Sequence, residues 1–224
     1  MRTKFTCLLL FSLSLFGDIA YFKPPEHWQM MDPNHLSPNV EVMFLGQPEN
    51  NFCPSINLAM EETEATLKEY FKGVKEYHKN AKEETWRDLG KFAFSCGEGR
   101  LTEITTQSPS GELRMLQAIF VKNKKAYIVT TASLKSEFMK HQGGFLEAIR
   151  SLTIVNDLFE AIPNPEEKTK IETVFTTLGK DLSSSDSQWE EWQKLLEQST
   201  AQMGEHWHFL ALKKGYARIH EAAQ

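Results

Sequence analysis

The side chains best suited to binding a metal ion are three histidines near the end of the chain. His206 and His208 flank Trp207, and His220 follows in the same segment of helical apolar spacing. Residues two positions apart do not face each other on a helix, so His206 and His208 cannot both ligate one ion while this segment is helical. We therefore predict no metal site and interpret the three histidines as surface residues.

Two cysteines, Cys53 and Cys96, follow the N-terminal apolar segment that contains Cys7. Their spacing is neither that of a C-x-x-C redox pair nor that of a zinc knuckle. Two thiols in an exported protein can form one disulfide, and two is also a common number of unpaired thiols. The sequence leaves both alternatives open for Cys53 and Cys96.

Motifs for catalysis and cofactor binding are missing from the sequence. It contains no G-x-S-x-G nucleophile motif, no H-E-x-x-H zinc motif and no glycine-rich phosphate loop. A catalytic triad built from distant residues stays open, because a triad is defined by geometry rather than spacing. We predict no catalytic residue and no cofactor, and favour a protein that is not an enzyme.

The N-terminus has the pattern of a secretory signal. Arg2 and Lys4 precede an apolar run from Phe5 to Phe16, which is shorter than the ~20 residues needed to span a bilayer. We therefore predict residues 1–20 to be a signal peptide, cut after Gly17 or Ala20, or else an uncleaved anchor. The protein would then be exported to the periplasm or outside the cell, and would touch a membrane only through this segment.

The centre of the chain predicts a three-stranded antiparallel meander over residues 101–107, 113–121 and 126–131. The second of these segments has apolar residues on both faces, which indicates a sheet covered by helices on each side. Further strands are predicted at 27–31, 40–45, 55–60, 86–94 and 151–155, with a turn at 96–99. The net charge of −5 argues against a nucleic-acid partner.

Two helices are expected to cover this sheet. The first begins after Thr66, because Thr66 and Glu69 have the spacing of a capping box. The second is predicted over residues 134–150, where Leu134 and Phe138 share a face with later apolar residues. Together with the strands, these helices predict an α+β fold.

Residues 157–224 are predicted to be a helical extension, whose helices follow the Ile162-Pro163-Asn164-Pro165 boundary and are interrupted by a serine-rich link over residues 181–187. Trp189, Trp192 and Leu196 form an apolar stripe there at helical spacing. The stripe is interpreted either as a partner surface or as a face packed inside the protein, on the helix carrying Ile171 or on the sheet. The second interpretation is the favoured one.

Five short motifs in residues 21–156 have a familiar order and spacing. They are Pro25-Glu26-His27-Trp28, Pro54-Ser55-Ile56-Asn57-Leu58, Leu67-Lys68-Glu69-Tyr70, Ala126-Tyr127-Ile128-Val129-Thr130, and Phe145 followed by Ser151-Leu152. In these motifs the chain resembles the PsbP/DcrB-like superfamily, and an exported bacterial branch of it. The resemblance implies an α/β/α sandwich with a mainly antiparallel sheet. It transfers no functional residue to this chain.

Members of that superfamily include photosystem-associated extrinsic subunits, a Ran-binding import factor and bacterial envelope lipoproteins, most of which bind or assemble other proteins. The resemblance therefore implies a binding or assembly module of the cell envelope with a protein partner, although a fold alone does not determine a ligand. The alternative is an enzyme of unrecognised class, with its site between the sandwich of residues 21–156 and the helical extension of residues 157–224.

Overall fold

The computed structural model describes residues 18–31, 38–181 and 185–222. Most of the predicted signal peptide therefore lies outside the described residues. The strands are β1 (Ile19–Tyr21), β2 (Gln29–Met31), β3 (Val40–Leu45), β4 (Ser55–Glu62), β5 (Glu84–Phe94), β6 (Gly97–Ser108), β7 (Gly111–Lys122), β8 (Lys125–Leu134) and β9 (Thr153–Val155). The α-helices are α1 (Leu67–Asn80), α2 (Phe138–Arg150), α3 (Pro165–Thr177), α4 (Ser185–Ser199) and α5 (Glu205–Ala222).

A seven-stranded antiparallel sheet forms the centre of the molecule, in the order β2-β3-β4-β8-β7-β6-β5. The predicted meander is confirmed as β6, β7 and β8, which are longer than the sequence pattern indicated. Asn123 and Lys124 link β7 to β8 with φ of 51° and 61°, the left-handed values that a tight hairpin turn requires. A separate ribbon pairs β1 with β9.

A different helix packs against each face of the sheet. Ala118 and Phe120 of β7 belong to the main core, which also contains Phe145 of α2. Ile119, which points the opposite way, packs with Phe71 of α1. The predicted α/β/α sandwich is therefore confirmed, with α2 on one face and α1 on the other.

Two predicted boundaries are wrong. The helix predicted from residue 134 begins at Phe138, because Leu134 still pairs with Leu113 in the sheet. The turn predicted at 96–99 is shorter, since Gly97 and Gly99 pair with residues of β5. At Gly99 a Cβ atom would lie 2.3 Å from the Ile119 carbonyl oxygen, so this glycine allows close approach of two strands and does not form a turn.

The C-terminal helices have a core of their own. Asn164 caps α3 as its position before Pro165 predicts, accepting a hydrogen bond from the Glu166 amide at 2.9 Å. The core contains Ile171 of α3 and Trp192 of α4 together with the following buried side chains: Tyr21, Leu158, Phe159, Ile162, Leu178, Leu196, Met203, Trp207 and Ala211. Residues 157–222 thus form a packed helical layer, as far as they are described.

The apolar stripe of α4 lies inside this core. Trp192 is 0% exposed and Leu196 2%, while Trp189 is half-buried. The Trp192 ring lies 5.8 Å from Phe175 of α3, centroid to centroid. The partner-surface interpretation therefore does not fit Trp192 and Leu196, because a side chain without solvent exposure cannot meet a partner in the folded chain.

The helical layer meets the sandwich through the N-terminal segment. Tyr21 of β1 contributes to the helical core, whereas Phe22 beside it belongs to the main core. The Phe22 amide donates to Nδ1 of His206 on α5, at 3.3 Å. The alternating strands and two striped helices of residues 21–156 predict that this part folds without the helical layer, and this stays a prediction.

Candidate functional site

The structure separates the three histidines that the sequence singled out. His206 is buried against the rings of Phe22 and Phe44, and burial lowers its pKa to about 3. The prediction that His206 is a surface residue is therefore wrong. His208 is half-buried with Nε2 2.8 Å from the Thr200 hydroxyl, and only His220 is exposed. Within the described ranges, no three His, Cys, Asp or Glu side chains are grouped to hold a metal ion.

The two cysteines lie at opposite ends of the sheet as free thiols. Cys53 comes just before Ser55, which pairs with Ala132 near the end of β8. Cys96 comes just before Gly97, at the end of the sheet where β8 begins. A disulfide needs Cα atoms about 4.4–6.8 Å apart, so the disulfide alternative is not realised in this structure.

The junction between sandwich and helical layer was the place expected for an enzyme site. It is occupied by buried side chains, among them Tyr21, Phe22 and Trp207. The Trp207 indole donates to the Leu158 carbonyl at 3.1 Å, and the His206 ring accepts from the Phe22 amide. These polar groups therefore satisfy each other and do not converge on an open cleft.

The open surface lies on the other side of the sheet, beside α1. Antiparallel partners point to the same face, and the register aligns Met31, Met43, Asn57, Thr130 and Gln117 in one row across five strands. Each of the five is half-buried or exposed. The single helix α1 therefore covers this face of the sheet only in part.

One groove runs along the β4 side of α1, with a volume of about 590 Å³. We call it the tyrosine groove after Tyr70 and Tyr77 of α1. The Tyr70 hydroxyl donates to Glu61 at 2.7 Å, and burial together with the Glu61 carboxylate raises the Tyr70 pKa. Tyr77 is 70% exposed at the rim. The groove floor includes Ala59, Gln117, Ile119, Ile128 and Thr130.

A second groove of about 710 Å³ runs along the opposite side of α1, above the ends of β5 and β6. We call it the lysine groove. Its basic side chains are Lys68, Lys72, Lys75, Lys91 and Arg100, and its acidic ones are Glu69 and Glu98. A groove with this excess of positive charge attracts anionic groups.

Several of these charges are held in position by ion pairs. Lys75 and Arg100 both bind Asp88, with nitrogen–oxygen distances of 3.1 and 2.6 Å. Burial opposes ionisation of Asp88, but hydrogen bonds from Lys75, the Gly90 amide and Arg100 together lower its pKa. Among the described residues, Lys68 and Lys72 have no acidic side chain within ion-pair distance.

The sequence contained a signal for the lysine groove that the motif search missed. Lys68, Lys72 and Lys75 follow the i, i+4, i+7 spacing that places residues on one side of a helix. The contributions of Lys91 and Arg100 could not be predicted, because they depend on which strand lies next to α1. Both grooves combine charged and aromatic side chains with apolar ones, an arrangement that suits binding.

Several solved structures are similar to part of this chain. No family model matches the chain, and no curated protein matches it significantly. A solved PsbP (CyanoP) from Synechocystis sp. PCC 6803 is 12% identical over 64% of this chain and 96% of its own, with a TM-score of 0.44. LpqN of Mycobacterium tuberculosis is 11% identical over 64% of this chain and 87% of its own, with a TM-score of 0.48. The Ran-binding protein Mog1p of Saccharomyces cerevisiae is 11% identical over 63% of this chain and 97% of its own, with a TM-score of 0.40.

One of the three solved structures is a PsbP, the protein that gives its name to the predicted resemblance. The three likenesses concern the fold alone. At this level of identity, the function has to be argued from the side chains of this chain.

Proposed function

We propose that this chain is a non-catalytic binding module of the cell envelope that takes a protein partner on the sheet face beside α1. The observation that carries the proposal is the row of Met31, Met43, Asn57, Thr130 and Gln117, which continues the floor of the tyrosine groove across the sheet. The row combines two methionines with three polar side chains, and protein interfaces are likewise of mixed polarity.

Two exposed side chains support this surface. Tyr77 at the groove rim is 70% exposed, and Met31 at the far end of the row is 45% exposed. Tyrosine and methionine are enriched in protein interfaces, where they supply large contact areas. The opposite face of the sheet is occupied by α2 and the main core.

The proposal predicts that Tyr77→Ala abolishes capture of a partner from a native envelope extract by the full chain. Truncating an exposed aromatic anchor removes a large share of interface energy, yet leaves the melting temperature nearly unchanged. Tyr216→Ala is the matched control, since Tyr216 is an exposed tyrosine on α5 (57%). Loss of capture with Tyr216→Ala, and retention with Tyr77→Ala, would place the binding surface on the helical layer and refute the proposal.

Export is part of the same proposal. β1 begins at Ile19, and Asp18 accepts hydrogen bonds from Asn123 at 2.9 Å and from the Tyr127 hydroxyl at 3.2 Å. A cut after Ala20 would remove most of β1, whereas a cut after Gly17 would preserve it and the Asp18 contacts. These contacts therefore support the Gly17 position. In the described part of the chain, every helix is too short or too polar to cross a membrane.

We expect Leu9→Arg to trap the protein in the cytoplasm, because a charge in so short an apolar run opposes its insertion into the membrane. Leu9 lies outside the described residues, so the substitution leaves their contacts unchanged. Cell fractionation would measure the location, and N-terminal sequencing of the exported chain should begin at Asp18. An unchanged location in the Leu9→Arg variant would contradict export through this segment.

A further inference from the structure

We infer that the free edge of β5 and the lysine groove together bind an extended segment of the partner in which acidic and apolar side chains alternate. The inference rests on the proposed function and specifies the chemistry of the partner. It depends on three features that meet at one edge of the sheet: an open strand, an excess of positive charge, and side chains of different character on the two faces of that strand.

The open strand is β5. It is the last strand of the seven-stranded sheet and, among the described strands, it pairs with β6 alone. A β-bulge at Leu89 divides it, because the register shifts between Asp88 and Gly90. The part from Gly90 to Phe94 is regular. The Gly90 amide already donates to Asp88 Oδ1 at 2.9 Å, so the edge that can accept the main chain of an added strand runs from Lys91 to Phe94.

The positive charge lies beside this regular part. Lys91 of β5 and Arg100 of β6 are paired in the register and both line the lysine groove. Lys68 and Lys72 approach the same groove from α1. Glu98 pairs with Lys91 at 2.8 Å, and Asp88 binds both Lys75 and Arg100. In the part of the chain that the structure describes, Lys68 and Lys72 have no acidic side chain within ion-pair distance, so the groove keeps an excess of positive charge, whereas the whole chain has a net charge of −5. An acidic segment is therefore directed to this edge.

The two faces of β5 require different side chains of an added strand. Lys91 points to the lysine groove, and Ala93, two residues on, shares its face. Phe92 and Phe94 point to the opposite face and pack against the main core. An added strand would place alternate side chains beside Lys91 and beside Phe92, so acidic and apolar residues should alternate in it.

This pairing favours a peptide over other anions. Phosphate or a sulfated polysaccharide could contact the lysines, but neither has a main chain that can hydrogen-bond to the β5 edge. The apolar contacts beside Phe92 likewise require alternating side chains. The test must therefore distinguish strand pairing along Lys91 to Phe94 from binding of an anion to the lysines alone.

The test measures the anisotropy of a fluorescent hexapeptide, Glu-Val-Glu-Val-Glu-Val, titrated with the full chain. We expect saturable binding that weakens with added salt, and no binding of the matched Lys-Val-Lys-Val-Lys-Val peptide. Combining Lys72→Glu with Lys91→Glu should weaken binding by about tenfold or more. Combining Lys170→Glu with Lys213→Glu, two exposed lysines of the helical layer, is the matched control and should have little effect.

Hydrogen exchange decides whether the peptide pairs with β5. The amides between Lys91 and Phe94 that face the open edge should exchange more slowly when the peptide is bound, and inorganic phosphate should not slow them. Three results would overturn the inference. The peptide does not bind, or it binds without slowing exchange of these amides, or the Lys170/Lys213 control weakens binding as much as the Lys72/Lys91 variant does. If Tyr77→Ala still abolishes partner capture in that case, the proposed function stands and only the acidic-segment inference fails.

Discussion

Replacing Trp192 with alanine should lower the free energy of unfolding by about 3–5 kcal/mol, the range for truncating a large buried aromatic side chain. Trp192 has no solvent exposure and packs between the rings of Phe159 and Phe175. Gly215 packs directly against the indole, where a Cβ atom would lie 2.4 Å from the indole nitrogen, so Gly215 has no side chain that could fill the cavity. Urea denaturation of the full chain would measure the loss.

The neighbouring Trp189 provides a control of the same residue type. It is half-buried and meets Tyr216 edge to face, with ring centroids 6.2 Å apart. Trp189→Ala should therefore cost clearly less than Trp192→Ala. Equal and small effects of the two substitutions would show that the core of the helical layer is not packed as described.

Acid should destabilise the protein through His206. Its pKa is about 3 in the folded chain and near 6.5 in an unfolded one, because burial disfavours the protonated ring. Between these values the unfolded state binds a proton that the folded state excludes. The contribution of neutral His206 to the free energy of unfolding is thus complete above pH 6.5 and is lost as the pH falls. The loss is about 1.4 kcal/mol per pH unit and amounts to about 2 kcal/mol at pH 5.

His206→Gln should reduce this dependence to the part contributed by His208, whose pKa burial also lowers. Glutamine does not titrate and keeps an acceptor for the Phe22 amide. Chemical denaturation at pH 7.5 and at pH 5 would measure the difference in stability for each protein. His220→Gln is the control, because His220 is exposed on the same helix. A pH dependence that survives in His206→Gln but disappears in His220→Gln would contradict the assignment to the buried ring.

Much of the fold could be predicted from local patterns. Thr66 and Glu69 form the expected capping box, with the Thr66 amide 2.9 Å from the Glu69 carboxylate. The alternation of β7 correctly indicated helices on both faces. Local patterns failed at Leu134, where apolar spacing suits a helix but pairing with Leu113 continues a strand. There the tertiary hydrogen bonds outweighed the local preference.

The candidate site was harder to predict, because its residues come together only in the folded chain. The two lysines Lys72 and Lys91 lie on different elements, and the row from Met31 to Gln117 depends on the register of five strands. The buried position of His206 was missed for the same reason, since Phe22 is 184 residues away in the sequence. Only the spacing of lysines along α1 was visible beforehand.

The ribbon of β1 and β9 also affects the order of events during synthesis. Ile19 cannot pair until Val155 has left the ribosome, and at 5–20 residues per second this takes on the order of ten seconds. The hydrogen bond from the Phe22 amide to His206 forms later still, because His206 is synthesised after Val155. β1 therefore stays unpaired while the whole central sheet is synthesised, and under the proposed export a targeting factor would act within that interval.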